Sequence, residues 1–314
     1  MIDLALDLQL NVDGSSGDLV ELAYDWLDGV SRRLAGPARE ELEDLPARVA
    51  GSKGQFGPLG EPGSPFGVVS VMRYVDDRAR SAERNCSAAG MSWLRAELED
   101  LPTKADLWIG RLDERGHRSG RVLTLEVRHL AESSGWLRLH GYVDESSFTD
   151  PVVGLDTQRR WLEVMRSYAD ISNPGFGHIS YNHNEGATAL EDALPAAIYP
   201  RVERDPDYTV NDCRRFLRGY SWLTVVPAEL AARLGGAAGL RSSGAFAEVH
   251  QLAAGGVWLL ATSDYRDYDD EAIAKVFKVL APVLRPGLPR DPVRRFPGQP
   301  PYRIVFADAS TVIG

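Results

Sequence analysis

Two of the six histidines offer the chain's clearest opening for chemistry: His178 and His183 lie five apart in FGHISYNHNEG, with Glu185 close behind. Imidazole and carboxylate donors bind zinc and also serve general acid–base work, so a metal-dependent or His/carboxylate enzyme would be built here. Along a strand, residues five apart point to opposite faces, and the donors meet only if the second half of the segment turns. The plainer reading is a strand-and-turn histidine pair. His129 and His140 fall on adjacent predicted strands and face different ways, His117 sits in a hairpin turn, and His250 in a strand. None has a partner for a catalytic dyad. Nucleophile signatures are missing too: there is no Gly-x-Ser-x-Gly elbow, His-Glu-x-x-His helix or Ser-x-x-Lys with its companions. GGAAGLRSSG at 235–244 follows a helix, lacks the dinucleotide-binding spacing, and reads as a helix cap and loop. The glycines of 50–67 are not followed by Gly-Lys-Ser/Thr, so no phosphate cradle is read there. No catalytic residue, resident metal or cofactor is expected.

The sharpest charge feature is Asp264-Tyr265-Arg266-Asp267-Tyr268-Asp269-Asp270-Glu271, just ahead of a helix. Acids favour a helix's first turn because they face its positive end. Capping uses one or two of them, and this run has a surplus interleaved with tyrosines, the mixture protein-binding surfaces use. Three readings stay open: capping with solvation, partner contact, and a cation loop, although the glycine and distant glutamate of an EF-hand are absent. If the chain has a partner-binding loop, Asp264, Tyr265, Asp267, Tyr268, Asp269, Asp270 and Glu271 are its expected residues.

Behind these candidates stands a scaffold of alternating strand and helix patterns. Ile2, Leu4, Leu6, Leu8 and Leu10 alternate with polar residues, which predicts a strand with one wet face. Leu19, Leu22, Trp26, Val30 and Leu34 then fall at helical spacing, with Ser15 or Ser16 placed to cap the helix. Strands are expected at 68–74, 107–112, 121–130 and 135–143, the last three an antiparallel meander, with a helix over 84–101 burying Leu94, Leu98 and Leu101. A helix starting near Asp156 carries Trp161, Met165 and Tyr168 on one stripe; 176–182 reads as a strand and 188–197 as a short helix. Residues 199–213 read as a polar loop and 303–307 as an edge strand or surface segment. From 216 the order is strand, short helix from Pro227 to Gly235-Gly236, two further strands, and a helix burying Ile273, Val276, Phe277, Leu280 and Leu284.

These patterns predict an α+β fold, mainly antiparallel sheet with amphipathic helices packed largely on one face. It is expected as a single unit over 1–314, with sub-structures 1–155 and 156–290, a Gly/Pro-rich loop at 50–67 and a Pro/Arg-rich tail at 285–314. Two similar, pseudo-duplicated lobes are the alternative. The 314 residues, 44% apolar and 25% charged, suffice for a sizeable core. A net charge of −10 argues against nucleic acid as a partner and favours encounter with basic proteins. No apolar run nears the about 20 residues of a membrane span, and the N-terminus lacks the basic start of a signal peptide. Cys86 and Cys213, far apart and without CxxC spacing, read as buried reduced thiols of a cytoplasmic protein.

The segment LRGYSWLTVVPAELAARLGG, then GGVWLLATS and a helix ending LAPVLRPGLP, resembles the C-terminal half of the bacterial type VI immunity family, whose members are encoded beside polymorphic toxins. Gly219, Trp222, Leu230, Gly235, Gly236, Gly256 and the helix Ile273–Leu284 carry the likeness, within about residues 216–289. The resemblance implies a cytoplasmic protein that neutralises a cognate toxin protein by binding, without catalysis. An enzyme using His178, His183 and Glu185 and a scaffolding subunit of a larger assembly are the alternatives.

Overall fold

In the computed structural model the described residues are 4–45, 59–130, 133, 135–183, 186–195, 206–291 and 298–312. Glu185, residues 50–58 of the Gly/Pro-rich loop, 196–205 and 292–297 of the tail lie outside them. The chain opens with β1 (Ala5–Asp13), α1 (Leu19–Ala35) and α2 (Pro37–Glu40). Then come β2 (Pro65–Val75), β3 (Arg78–Asn85), α3 (Ala88–Leu98), β4 (Lys104–Leu112), β5 (Arg118–His129) and β6 (Trp136–Asp144). Next are α4 (Glu145–Thr149), α5 (Gly154–Ile171), β7 (Phe176–Tyr181), α6 (Ala189–Ala193) and α7 (Pro206–Thr209). The chain continues with β8 (Leu223–Val226), α8 (Ala228–Arg233), α9 (Gly236–Ser242), β9 (Glu248–Gln251), β10 (Val257–Leu260) and α10 (Asp270–Leu280). The result is an α+β fold, its named strands paired antiparallel.

Two compact units divide the chain: residues 17–142, and residues 1–16 with 143–314. In the first, strands run in the order β3-β2-β4-β5-β6, with α1 packed on β4 and β5 and α3 on β2 and α1. Asp18, not Ser15 or Ser16, caps α1, accepting from the Val20 and Glu21 amides at 2.9 and 3.2 Å. Leu22, Trp26 and Val30 form its buried stripe, and the Trp26 indole donates to the His140 carbonyl at 2.9 Å. The expected helix over 84–101 is shorter: α3 begins after the Ser87 cap, Arg78–Asn85 is a strand, and Leu101 is only half-buried. β3 forms an edge, and its exposed arginines guard against pairing with another chain.

In the second unit the order is β1-β7-β8-β10-β9. Leu6, Leu8 and Leu10 of β1 are fully buried, but so are Asp7, Gln9 and Asn11. The expected wet face of β1 is therefore a second interior face, and its polar groups are met by side chains instead of water. Cys86 and Cys213 are free and buried, and burial pushes their thiols up to about 11 and about 12. Residues 235–244, expected as a cap and loop, hold the cap and then a further helix, α9. Gly235 makes the corner with φ +79, a conformation that strains other residues. Residues 303–306 form no strand, though Ile304 is buried.

Candidate functional site

The two histidines of FGHISYNHNEG have separate surroundings. His178, on β7, is 1% exposed; its Nε2 lies 3.6 Å from Asp7 Oδ2 and its ring sits edge-on to Phe176 at 5.1 Å. His183 follows the strand and packs on the Tyr302 ring at 4.8 Å. Among the described residues no group of three His, Cys, Asp or Glu side chains could hold a metal ion.

Arg218, a residue that no motif flagged, organises this interior. Its guanidinium grips Glu191 with Nε–Oε1 at 2.8 Å and Nη2–Oε2 at 3.0 Å, and donates to Asn11 Oδ1 at 2.6 Å and the Gly186 carbonyl at 3.1 Å. It also lies 5.3 Å over the Phe176 ring. Glu191 belongs to a capping box with Thr188, whose hydroxyl donates to the Arg218 carbonyl at 2.8 Å. Gly219 lets the backbone close in on this box: a Cβ there would stand 2.7 Å from Thr188 Oγ1. The signal in the sequence was the single arginine inside the stretch FLRGYSW.

The acidic run divides its residues between two tasks. Residues 265–267 form a 3-10 turn, and side chains three apart on such a turn share one side. Tyr265 and Tyr268 therefore both point inward, at 2% and 3% exposure, which corrects the expectation of tyrosines offered to a partner. Tyr265 meets Phe148 and Trp222 edge-on at 5.8 and 5.5 Å. Asp264 caps the turn, and Asp269 caps α10 through the Ala272 amide at 3.0 Å. Asp267, Asp269, Asp270 and Glu271 remain exposed.

The hydrogen bonds and charge of Arg266 hold the Asp264 carboxyl at about 2, below its ordinary 3.8. A depressed carboxylate pKa stabilises the fold above the unfolded value and stops doing so as pH falls through the folded one. Asp264→Asn is thus expected to lower the urea midpoint at neutral pH. The gap to the parent protein should close between about pH 4 and about pH 2. A gap independent of pH over that window would contradict the assignment.

Beside this run lies a groove. Its first part, about 350 Å³, is lined on α5 by Leu155, Gln158, Arg159, Leu162, Glu163 and Arg166, and opposite by Ala247, Glu248, Trp258, Leu260 and Ser263. Its second part, about 450 Å³, shares Ala247 and Ser263 and runs past Asp267, Asp269, Glu271 and Lys275. Gln158 joins the two features: its Nε2 donates to the Phe148 carbonyl at 2.8 Å and Asp264 Oδ1 at 3.2 Å, and its Oε1 accepts from the Tyr265 amide at 3.0 Å. Arg166 bridges to Glu248 at 3.3 Å, and Arg159 pairs with Asp156 and Glu163. The cations of the first part are thus matched, while carboxylates outnumber Lys275 in the second. The groove has an apolar floor and one acidic end. Such a surface can seat a molecule.

A second titratable cluster lies in the unit 17–142. Ser70, Asp106, Glu126 and His140 stand opposite one another across β2, β4, β5 and β6. Lys104 Nζ reaches both Asp106 and Glu126 at 2.9 Å. Burial raises the Asp106 carboxyl despite Lys104. Burial also opposes ionisation of Glu126, but the charges of His140, Lys104 and Arg138 hold it below its ordinary value. Neither part of the groove includes these side chains.

No helix among the described residues is long and apolar enough to cross a membrane. No family model and no curated protein matches the chain. Among solved structures, the Pseudomonas aeruginosa T6SS protein PA0821 is similar over 98% of this chain and 81% of its own, with a TM-score of 0.50 at 14% identity. At that identity the likeness shows a shared fold.

Proposed function

We propose that this chain is an immunity-type protein that neutralises a cognate bacterial toxin by binding it directly, in the cytoplasm and without turnover. The observation that carries the reading is the groove beside α5, an open apolar-floored surface with an acidic end on a chain of net charge −10. Such a surface speeds encounter with a basic protein, and apolar anchors then slow release. The fold likeness to a T6SS protein supports a setting in competition between bacteria. The resemblance of residues 216–289 to the type VI immunity family supports the same setting, although its glycines serve the fold. A second reading, an acid–base enzyme, draws on the cross-strand row of Ser70, Asp106, Glu126 and His140, in which Lys104 reaches both carboxylates at 2.9 Å and the two are displaced in opposite directions.

The test is co-expression with the toxin candidate encoded beside this gene. The expected result is restored growth and a stable complex of the two chains on size exclusion. Continued killing with the intact chain abundant in the cell would contradict the proposal.

A further inference from the structure

We infer that the groove receives a segment of a partner protein that sets an apolar side chain against α5 and basic side chains against residues 267–271, an inference that rests on the binding reading above. Leu155 and Leu162 are seven apart and so share one face of α5, the wall of the groove. Leu155 is 56% exposed, and Val152 and Val153 just before the helix are 87% and 51% exposed. Large apolar side chains gathered in this way are costly to leave in water and mark contact surfaces.

Trp258 supplies a reporter beneath the groove. The residue belongs to the groove's lining but is 1% exposed, and its indole Nε1–H, closed off from solvent, has no acceptor among the described residues. Buried indoles ordinarily donate a hydrogen bond, so this unsatisfied ring is placed to register a segment seated over it. At the far end, Asp267, Asp269 and Glu271 face Lys275 alone among the lining charges, so a basic flank is the complement. A second copy of this acidic chain would meet repulsion there. Strand addition on the edge strand β9 is a poorer fit, because Arg241 of α9 donates to the Val249 carbonyl at 3.3 Å. The segment therefore docks through side-chain anchors.

The experiment titrates the 314-residue chain with the toxin candidate encoded beside the gene, comparing Leu155→Arg, the double variant Asp267→Lys/Glu271→Lys, and Val122→Arg as a control outside the groove. All four positions are solvent-exposed, and thermal melts confirm folding. Leu155→Arg is expected to weaken binding about tenfold or more. The double variant should slow association about fivefold or more at low salt and flatten its salt dependence, with Val122→Arg unchanged. In 15N spectra the indole resonance that disappears in Trp258→Phe should shift when the toxin is added. Parent-like binding by both groove variants, or an unmoved indole, would overturn the inference while leaving toxin binding intact. Self-association lost in Leu155→Arg would overturn it in favour of a dimer face. Failure of the parent chain itself to bind would instead remove the reading beneath it.

Discussion

Arg218→Ala is expected to destabilise the fold by about 3–5 kcal/mol, the cost of breaking a buried ion pair from one side. The guanidinium is 1% exposed, Glu191 3%, and four acceptor atoms on three residues converge on it. Truncation leaves the Glu191 carboxylate, the Asn11 amide oxygen and the Gly186 carbonyl without that donor in a buried interior. Chemical denaturation should show the loss as a shifted midpoint with an unchanged slope. Arg218→Lys restores charge but not the planar fork, so it should recover only part of the loss. Replacing both partners at once, Arg218→Met with Glu191→Leu, removes the orphaned carboxylate and should be milder than Arg218→Ala. A loss below about 1 kcal/mol for Arg218→Ala would show that water replaces the guanidinium and that the interior is open.

Trp222→Ala carries the next largest expectation, about 3–5 kcal/mol for emptying an indole-sized volume. Trp222 is 1% exposed, donates to the Thr262 carbonyl at 2.9 Å, and meets Phe148 and Tyr265 edge-on at 5.9 and 5.5 Å. Trp222→Phe keeps a ring and loses the hydrogen bond, so about 1–2 kcal/mol is expected. The substitution also has a local signature. Tyr265 rests on Trp222 and anchors the acidic run, so amide exchange across 264–269 should rise in Trp222→Ala before the molecule unfolds as a whole. Unchanged exchange there would mean that the Asp264 and Gln158 hydrogen bonds hold the run by themselves.

The fold class was open to reading because strand and helix periods survive in a single sequence. Leu22, Trp26 and Val30, or Ile273, Val276, Phe277 and Leu280, declare a buried stripe without any knowledge of what lies opposite. What covers a polar face is another matter. The alternation of β1 is the same whether water or Arg218 meets Asn11, and Arg218 lies 207 positions away. β3 was hidden because its outward arginines supply no apolar alternation, and α9 because GGAAGLRS has little helix propensity. The tyrosines of the acidic run were misjudged by composition, although their spacing of three carried the answer. The groove was illegible for a simpler reason: its lining comes from α5, β9, β10 and the segments around 244–247 and 261–275, which only the fold brings together.

A stoichiometric titration tests the claim of neutralisation by occupancy most directly. Increasing amounts of the 314-residue chain are added to a fixed amount of the toxin candidate encoded beside the gene, and residual toxin activity is followed over time. Occupancy predicts a linear fall that ends near one chain per toxin and does not deepen with longer incubation. Continued loss of activity at a small fraction of that amount would mean turnover, and would move attention from the groove to the row holding Asp106 and Glu126.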